Sequence, residues 1–238
     1  MNGIRIAKFL SDMGIASRRT AERLIESGAV TVNGVKITTP VFFVDGIEEI
    51  KVNGATIGNR LTTLLYAFHK PIDTMTTAHD PMGRRTIYDV LPARYKNLKY
   101  VGRLDYKTTG LLLLTNDGDL ARRLTLPSSN IPRVYIATVS GNDFSRLDEA
   151  RRGMTIDGVK YRPMLIKEQG PGTRNSVDLE VTVTEGKKNE VRIVLAAAGL
   201  PVKKLHRVSY GPIELGNLPA GQIRQIKQKS IDLGLKSF

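Results

Sequence analysis

The chain has 238 residues, and 36 Lys and Arg against 23 Asp and Glu give it a formal net charge of +13. Apolar residues make up 41%, enough for a buried core, while cysteine is absent and the three histidines (His69, His79, His206) are scattered. These counts exclude disulfides and cysteine-built metal sites, argue against a histidine-built metal centre, and speak against disorder throughout. No apolar run approaches the roughly 20 residues of a membrane helix. The opening MNGIRIAKFL lacks a signal-peptide pattern. The protein is therefore expected to be soluble and cytoplasmic, with no membrane partner. Its charge suits a polyanion, most often nucleic acid. Residues 1–60 hold 8 basic and 6 acidic side chains against 28 and 17 in the remainder, so the longer part carries most of the field.

From the N-terminus, Ile6, Phe9, Leu10 and Met13 recur at helical spacing, and Gly14 follows as a stop. Ser17 is placed to cap a second helix whose buried stripe is Ala21, Leu24 and Ile25 and whose end is Gly28. Residues 30–37 read as two alternating arms around Asn33-Gly34, a pair that tolerates the positive φ angles of a tight hairpin. The phrase returns around Asn53-Gly54 and is read as a second turn, since two copies do not make a solenoid. Arg18, Arg19 and Arg23 lie on the polar side of the second helix, with Arg5 and Lys8 before them. Helical spacing sets Arg19 and Arg23 one turn apart on one face. Such a cluster can grip phosphates, or it can be an ordinary solvated surface. Residues 4–37 resemble an S4 domain, a small RNA-binding fold. The likeness is carried by the apolar helix, the Gly-x-x-Ser-Arg-Arg turn, the Gly before the strand and the V-x-V-N-G hairpin. It implies an S4 RNA-binding domain over residues 1–60, with Arg18, Arg19 and Arg23 on the RNA and a linker near residues 58–63.

Beyond residue 60 the pattern changes. Residues 64–68 read as a strand broken at His69-Lys70-Pro71, and the polar stretch 72–85 as a long loop of the functional kind. Further strands are expected at 111–114, 134–139, 177–183 and 202–208, and helices around 120–126, 144–152, 190–198 and 222–231. Strands and helices mix without a strict βαβ rhythm. The fold class is therefore α+β, with a mixed, largely antiparallel sheet flanked by helices. The lone Gly186-Lys187 lacks Walker spacing, so neither ATP nor NAD is implied. In residues 102–118 an Arg and an Asp precede a polar turn that feeds a buried strand. By residue type alone Asp105 can be a nucleophile, a general base or a turn cap. Asp117 and Asp119 have the plain reading of a turn and a helix cap.

That segment, G-R-L-D-x-x-T-x-G-L-L-L-x-T-N-D-G, resembles the signature of pseudouridine synthases of the RsuA/RluB type, in which an S4 domain precedes the catalytic domain. Other blocks follow in order: His69-Lys70-Pro71; Asp80-Pro81-Met82-Gly83-Arg84; Arg133-Val134-Tyr135; residues 185–192; and residues 205–213. The resemblance implies a catalytic domain over residues 61–238 that isomerises a uridine in ribosomal RNA to pseudouridine, needing no cofactor and no metal. Asp105 would attack the ribose C1′ or remove a ribose proton; the residues leave both open. Arg192 would keep that carboxylate charged, and Tyr135 would pack against a base drawn out of its stack. Arg103, Lys70, Arg84 and Arg133 would bind the RNA. Arg133 stands where the family often has Lys, and the blocks look closer to the branch acting on large-subunit rRNA. The expected partner is ribosomal RNA or a ribosomal-subunit precursor, met by a monomer. The competing reading is a non-catalytic S4-type RNA-binding or ribosome-assembly factor; an S4-bearing tRNA-synthetase fragment is disfavoured by the missing ATP signatures.

Overall fold

The computed structural model describes residues 3–58, 63–141, 143–173 and 176–227. They divide into two units, one of residues up to Thr63 with Asn116–Gly118, the other of Leu64–Thr115 and the residues from Asp119 on. The linker expected near 58–63 falls largely outside the described residues.

The first unit runs β1 (Ile4–Arg5), α1 (Ile6–Asp12), α2 (Arg18–Glu26), β2 (Val30–Val32), β3 (Val35–Ile37), β4 (Phe43–Val44), β5 (Ile50–Val52) and β6 (Ala55–Ile57). Ser17 caps α2 by accepting a hydrogen bond from the Thr20 amide at 3.2 Å. Both Asn-Gly pairs have positive φ at each residue (49° and 81°, then 51° and 78°), as a two-residue hairpin requires. The hairpins lie side by side in the order β3-β2-β5-β6. Ile6, Leu10, Ala21, Ile25, Val30 and Ile50 form the buried centre beneath the two helices.

The second unit runs β7 (Leu65–Lys70), α3 (Ile87–Val90), β8 (Lys99–Val101), β9 (Thr108–Thr115), α4 (Gly118–Thr125) and β10 (Arg133–Ser140). There follow α5 (Leu147–Arg152), β11 (Thr155–Ile156), β12 (Val159–Lys160), β13 (Leu165–Thr173) and β14 (Ser176–Val183). The chain continues through α6 (Glu190–Ala197), β15 (Val202–Tyr210), β16 (Ile213–Glu214) and β17 (Ile223–Gln225). A nine-stranded sheet has the order β13-β14-β10-β15-β9-β7-β17, with β16 on β15 and β8 on β9. Its pairs are antiparallel except β15 with β9. The sheet is mixed and largely antiparallel, in an α+β unit.

Strand β9 lies inside this sheet, between β15 and β7. Leu112 and Leu114 enter the core on one face, and Leu111 and Leu113 the core on the other. Burial on both faces is why the run is continuously apolar rather than alternating. Strand β10 alternates instead, burying Arg133, Tyr135, Ala137 and Val139. One expected element is corrected. The helix read at 222–231 is, over 223–225, an edge strand that pairs Ile223 with Phe68 and Gln225 with Tyr66; residues 228–231 lie outside the described residues. Pairing the otherwise open edge of β7 outweighs a weak local helical period.

Candidate active site

Asp105 sits on the turn between β8 and β9, and that turn is held from several sides. Thr76 donates its hydroxyl to the Leu104 carbonyl at 2.8 Å and accepts from the Leu104 amide at 3.3 Å. The Thr108 amide closes the turn onto the Asp105 carbonyl at 3.0 Å. Beneath it, the ammonium of Lys70 donates to the carbonyls of Thr108 (2.8 Å), Pro71 (3.1 Å) and Tyr106 (3.4 Å). From the far side, Arg192 on α6 donates to the Lys107 carbonyl at 3.2 Å and to Val202 at 3.0 Å. The carboxylate is thus carried on a rigid turn. Among the described residues, no side chain pairs directly with it. Lys70 and Arg192 feel its charge through space. Burial pulls the Lys70 ammonium down to about 8, against the opposing pull of Asp105 and Asp73. Burial likewise lowers the Arg192 guanidinium, and the Asp105 charge raises it again.

The sheet register supplies the rest of the site. Lys70 on β7 stands opposite Gly110 on β9, Gly110 opposite Arg207 on β15, and Arg207 opposite Tyr135 on β10. The glycine is required: at φ +103°, an added Cβ would lie 2.2 Å from the Arg207 carbonyl oxygen. One step along, Arg133 faces Tyr210. A register shift after Val134 places one extra β15 residue between the two pairs, so Arg207 and Tyr210 share a side although three positions apart. The guanidinium of Arg207 lies 5.2 Å from the Tyr210 ring centroid and 5.9 Å from that of Tyr135, and Arg133 lies 5.0 Å from Tyr210. Tyr210 donates its hydroxyl to the Leu124 carbonyl at 2.6 Å and accepts from Arg133 at 3.1 Å. Arg133 also donates to the carbonyls of Glu185 and Thr184.

Two clefts meet at Asp105. The first, about 260 Å³, is lined by Asp105, Thr108, Tyr135, Arg207 and Glu190 among others. That is slightly below the roughly 300–1,000 Å³ of pockets for drug-sized ligands and leaves room for a single base. The second, about 500 Å³, is lined by Arg84, Lys107, Lys188 and Arg192. Arg103, exposed, borders both. Arg84 is fixed by a forked pair with Asp80 (2.8 and 3.0 Å), which holds the Asp80 carboxyl down at about 2. At the rim of the first cleft, burial pushes Glu190 up to about 7. A hydrogen bond shared with Glu185, and the charge of Glu185, add to this. Hydrogen bonds, first from Lys187, outweigh burial at Glu185 and lower it.

The expected site residues are therefore spread over three settings. Asp105, Arg192, Tyr135, Arg103 and Arg84 converge on the two clefts. Lys70 and Arg133, expected to bind RNA, are buried, at 0% and 8% exposure, because pairing within the sheet turns their side chains onto protein acceptors, although Arg133 also lines the first cleft. Arg18, Arg19 and Arg23 lie exposed on α2 of the first unit, in no ion pair among the described residues. Sequence reasoning missed Arg207 as a site residue. The available signal was a cation on the inward alternation of β15, two residues after the buried Leu205. Among the described residues, no group of three or more His, Cys, Asp or Glu side chains could hold a metal ion. No described helix is long and apolar enough to cross a membrane.

Residues 65–197 match the family model for RNA pseudouridylate synthase, and residues 4–50 that for the S4 domain. A Rickettsia prowazekii protein named as an uncharacterized RNA pseudouridine synthase is 38% identical over 228 residues, covering 96% of each chain. One so named in Aquifex aeolicus is 37% identical, over 96% of this chain and 92% of its own. A crystal structure of a pseudouridylate synthase superposes with a TM-score of 0.65 at 25% identity, covering 96% of this chain and 98% of the other.

Proposed function

The chain belongs to the RNA pseudouridylate synthase family, with an S4 domain ahead of the catalytic one, and we propose that it isomerises a uridine of ribosomal RNA with Asp105 as the reacting carboxylate. The observation that carries this reading is a lone carboxylate on a rigid turn, where a cleft with room for a base meets a cation-lined one. In the reaction the bond from ribose C1′ to base N1 breaks, the base turns, and C5 joins the same carbon. No atom of another molecule is consumed. Asp105 serves as an anion next to the sugar, either attacking C1′ or taking a ribose proton.

A uridine within structured RNA must first leave its stack, at a cost of a few kcal/mol. Tyr135 then offers its ring to the extruded base, and Arg103 at the rim takes the phosphate or the vacated place in the helix. The second cleft, with Arg84, Lys107 and Arg192, suits the flanking backbone. Arg192 acts both by its charge and by holding the turn through the Lys107 carbonyl. Lys70 and Arg133 support the site from below. Residues 1–60 act as the RNA-binding module. The likeness of the Arg133 and 185–192 blocks to the large-subunit branch makes large-subunit rRNA, or a subunit precursor, the favoured target of a monomeric cytoplasmic enzyme.

Mapping pseudouridines across total rRNA, with and without the protein, tests the target. One position should lose its modification, and an unchanged map overturns the ribosomal assignment. Asp105→Asn should slow the reaction by about 10²–10⁴-fold or more while RNA affinity stays within about threefold. Pseudouridine formed at the wild-type rate by that variant removes Asp105 from the chemistry.

A further inference from the structure

Two buried side-chain atoms among the described residues have no hydrogen-bond partner: Nη2 of Arg207 and Oγ1 of Thr108. Both residues line the cleft that holds Asp105 and Tyr135. An unmet buried polar group costs about 1–3 kcal/mol, and more when charged, so two at one cleft point to a guest that meets them. Arg207 is only 2% exposed. Its Nε donates to the Leu111 carbonyl at 2.7 Å and its Nη1 to the Tyr135 hydroxyl at 3.4 Å, both neutral acceptors. The other acids of the cleft, Glu185 and Glu190, are taken up by each other and by Lys187. The guanidinium is thus a fixed positive charge beneath the base cleft with no carboxylate assigned to it.

We propose that Arg207 carries the negative charge of the uracil while it is detached from the sugar, through Nη2 and through the Tyr135 hydroxyl that it holds; this rests on the isomerase reading above. When the C1′–N1 bond breaks, its electron pair stays on the base, and the charge spreads over N1, O2 and O4. A guanidinium N–H aimed at one of these oxygens binds the anion better than the neutral uridine, which is the condition for speeding cleavage. Thr108, whose hydroxyl both donates and accepts, meets a neighbouring group on the same edge. When C5 bonds to C1′ the pair is returned, the C5 proton leaves and N1 takes up a proton. Arg207 keeps its own proton throughout.

The test is single-turnover cleavage of the C1′–N1 bond in an RNA fragment spanning the mapped position, made with uridine or with 5-fluorouridine there. Fluorine withdraws electrons and lets the free base bear its charge with less help. Arg207→Gln should slow uridine cleavage by about 10²-fold or more, and the loss should shrink by about tenfold with 5-fluorouridine. Arg207→Lys, which keeps a charge, should lose less than Gln. RNA affinity and melting temperature are read alongside. Should Gln fail to fold, Arg207→Met answers the same comparison, and should both fail, the Lys enzyme carries it. A wild-type rate in the neutral variants, or equal slowing on both substrates, overturns the proposal and leaves Arg207 a support for Tyr135. An inert wild type instead overturns the isomerase reading, and a fully active Asp105→Asn overturns only the choice of Asp105 as the reacting carboxylate.

Discussion

The two units both cluster cations, and they keep them in opposite ways. On α2 of the first unit, Arg18, Arg19 and Arg23 are exposed, while the other side of the helix buries Ala21 and Ile25. In the second unit, Lys70, Arg133 and Arg207 are all buried, and their bonded donors, which leave out Nη2 of Arg207, go to backbone carbonyls and tyrosine hydroxyls. An exposed charge is screened over about 8–10 Å at ordinary salt, and removing it leaves nothing unmet. A buried one holds shape as well as charge, and deleting it strands its partners. The first arrangement suits salt-sensitive attraction to a backbone, and the second suits a reaction.

The sharpest break in the second arrangement is at Gly110. Ala there sets a methyl 2.2 Å from the Arg207 carbonyl at a strained φ, so the β9–β15 pairing must open. We expect a loss of about 4 kcal/mol or more, visible as a melting point lowered by about 10 °C or as insoluble protein. Wild-type melting would mean that the row from Lys70 to Tyr135 is not rigid. Lys70→Met is next. It takes a shared donor away from the carbonyls of Thr108, Pro71 and Tyr106 beneath the reacting turn, of which Tyr106 keeps the Asp73 amide, and should slow single-turnover chemistry by about 10²-fold with RNA affinity little changed. In the wild type the rate should also decline as pH passes about 8, where that ammonium gives up its proton. A Lys70→Met enzyme with wild-type turnover would show that Asp105 needs no support from below.

How much of this contrast was legible beforehand depends on whether the cause is local. The two Asn-Gly hairpins, the Ser17 cap and the doubly buried run of β9 follow from neighbouring residues. Strand β13, a sheet-edge strand carrying Lys167, Glu168 and Gln169, shows no apolar period, and β17 exists because β7 needs a partner. At the site, Asp105 stood out through a motif resemblance, since by residue type it reads equally as a turn cap. Lys70 and Arg133 are expected on the RNA through the same resemblance, which says nothing of how deep they lie. Their burial, and the place of Arg207, depend on cross-strand register and on a one-residue shift in β15, neither of which short-range spacing encodes.

Glu190 tests whether buried charge in the second unit is tuned by its surroundings. Raised from an ordinary 4.5 to about 7, it holds a proton in the folded protein that the unfolded chain has already released. The stability this contributes is full below about pH 4.5 and is lost as pH rises to 7. Glu185, lowered, works in the opposite sense and trims the slope. Glu190→Gln should therefore flatten urea stability between pH 5 and 8, and gain about 1–2 kcal/mol at the upper end. An unchanged slope would place the proton elsewhere.

The mildest perturbation of the fold should come from the first unit, and it is the one that isolates long-range charge. Changing Arg18, Arg19 and Arg23 to Ala removes no core atom and no ion pair among the described residues, so melting should stay within about 0.5 kcal/mol of wild type. Alanine also favours the helix. Binding behaves differently. Each phosphate neutralised by such a cation releases counterions, contributing about 0.7–0.9 to the slope of log affinity against log salt. With all three on the RNA, the slope should fall by about 2–3, and the loss of affinity should be greatest at low salt. The single-turnover rate at saturating RNA should not move, because the reacting turn and its buried cations are untouched. An unchanged salt slope would make α2 an ordinary solvated face. A fall in the saturated rate would mean that these arginines reach past binding into the geometry of the reaction, and the division of labour between exposed and buried cations would fail.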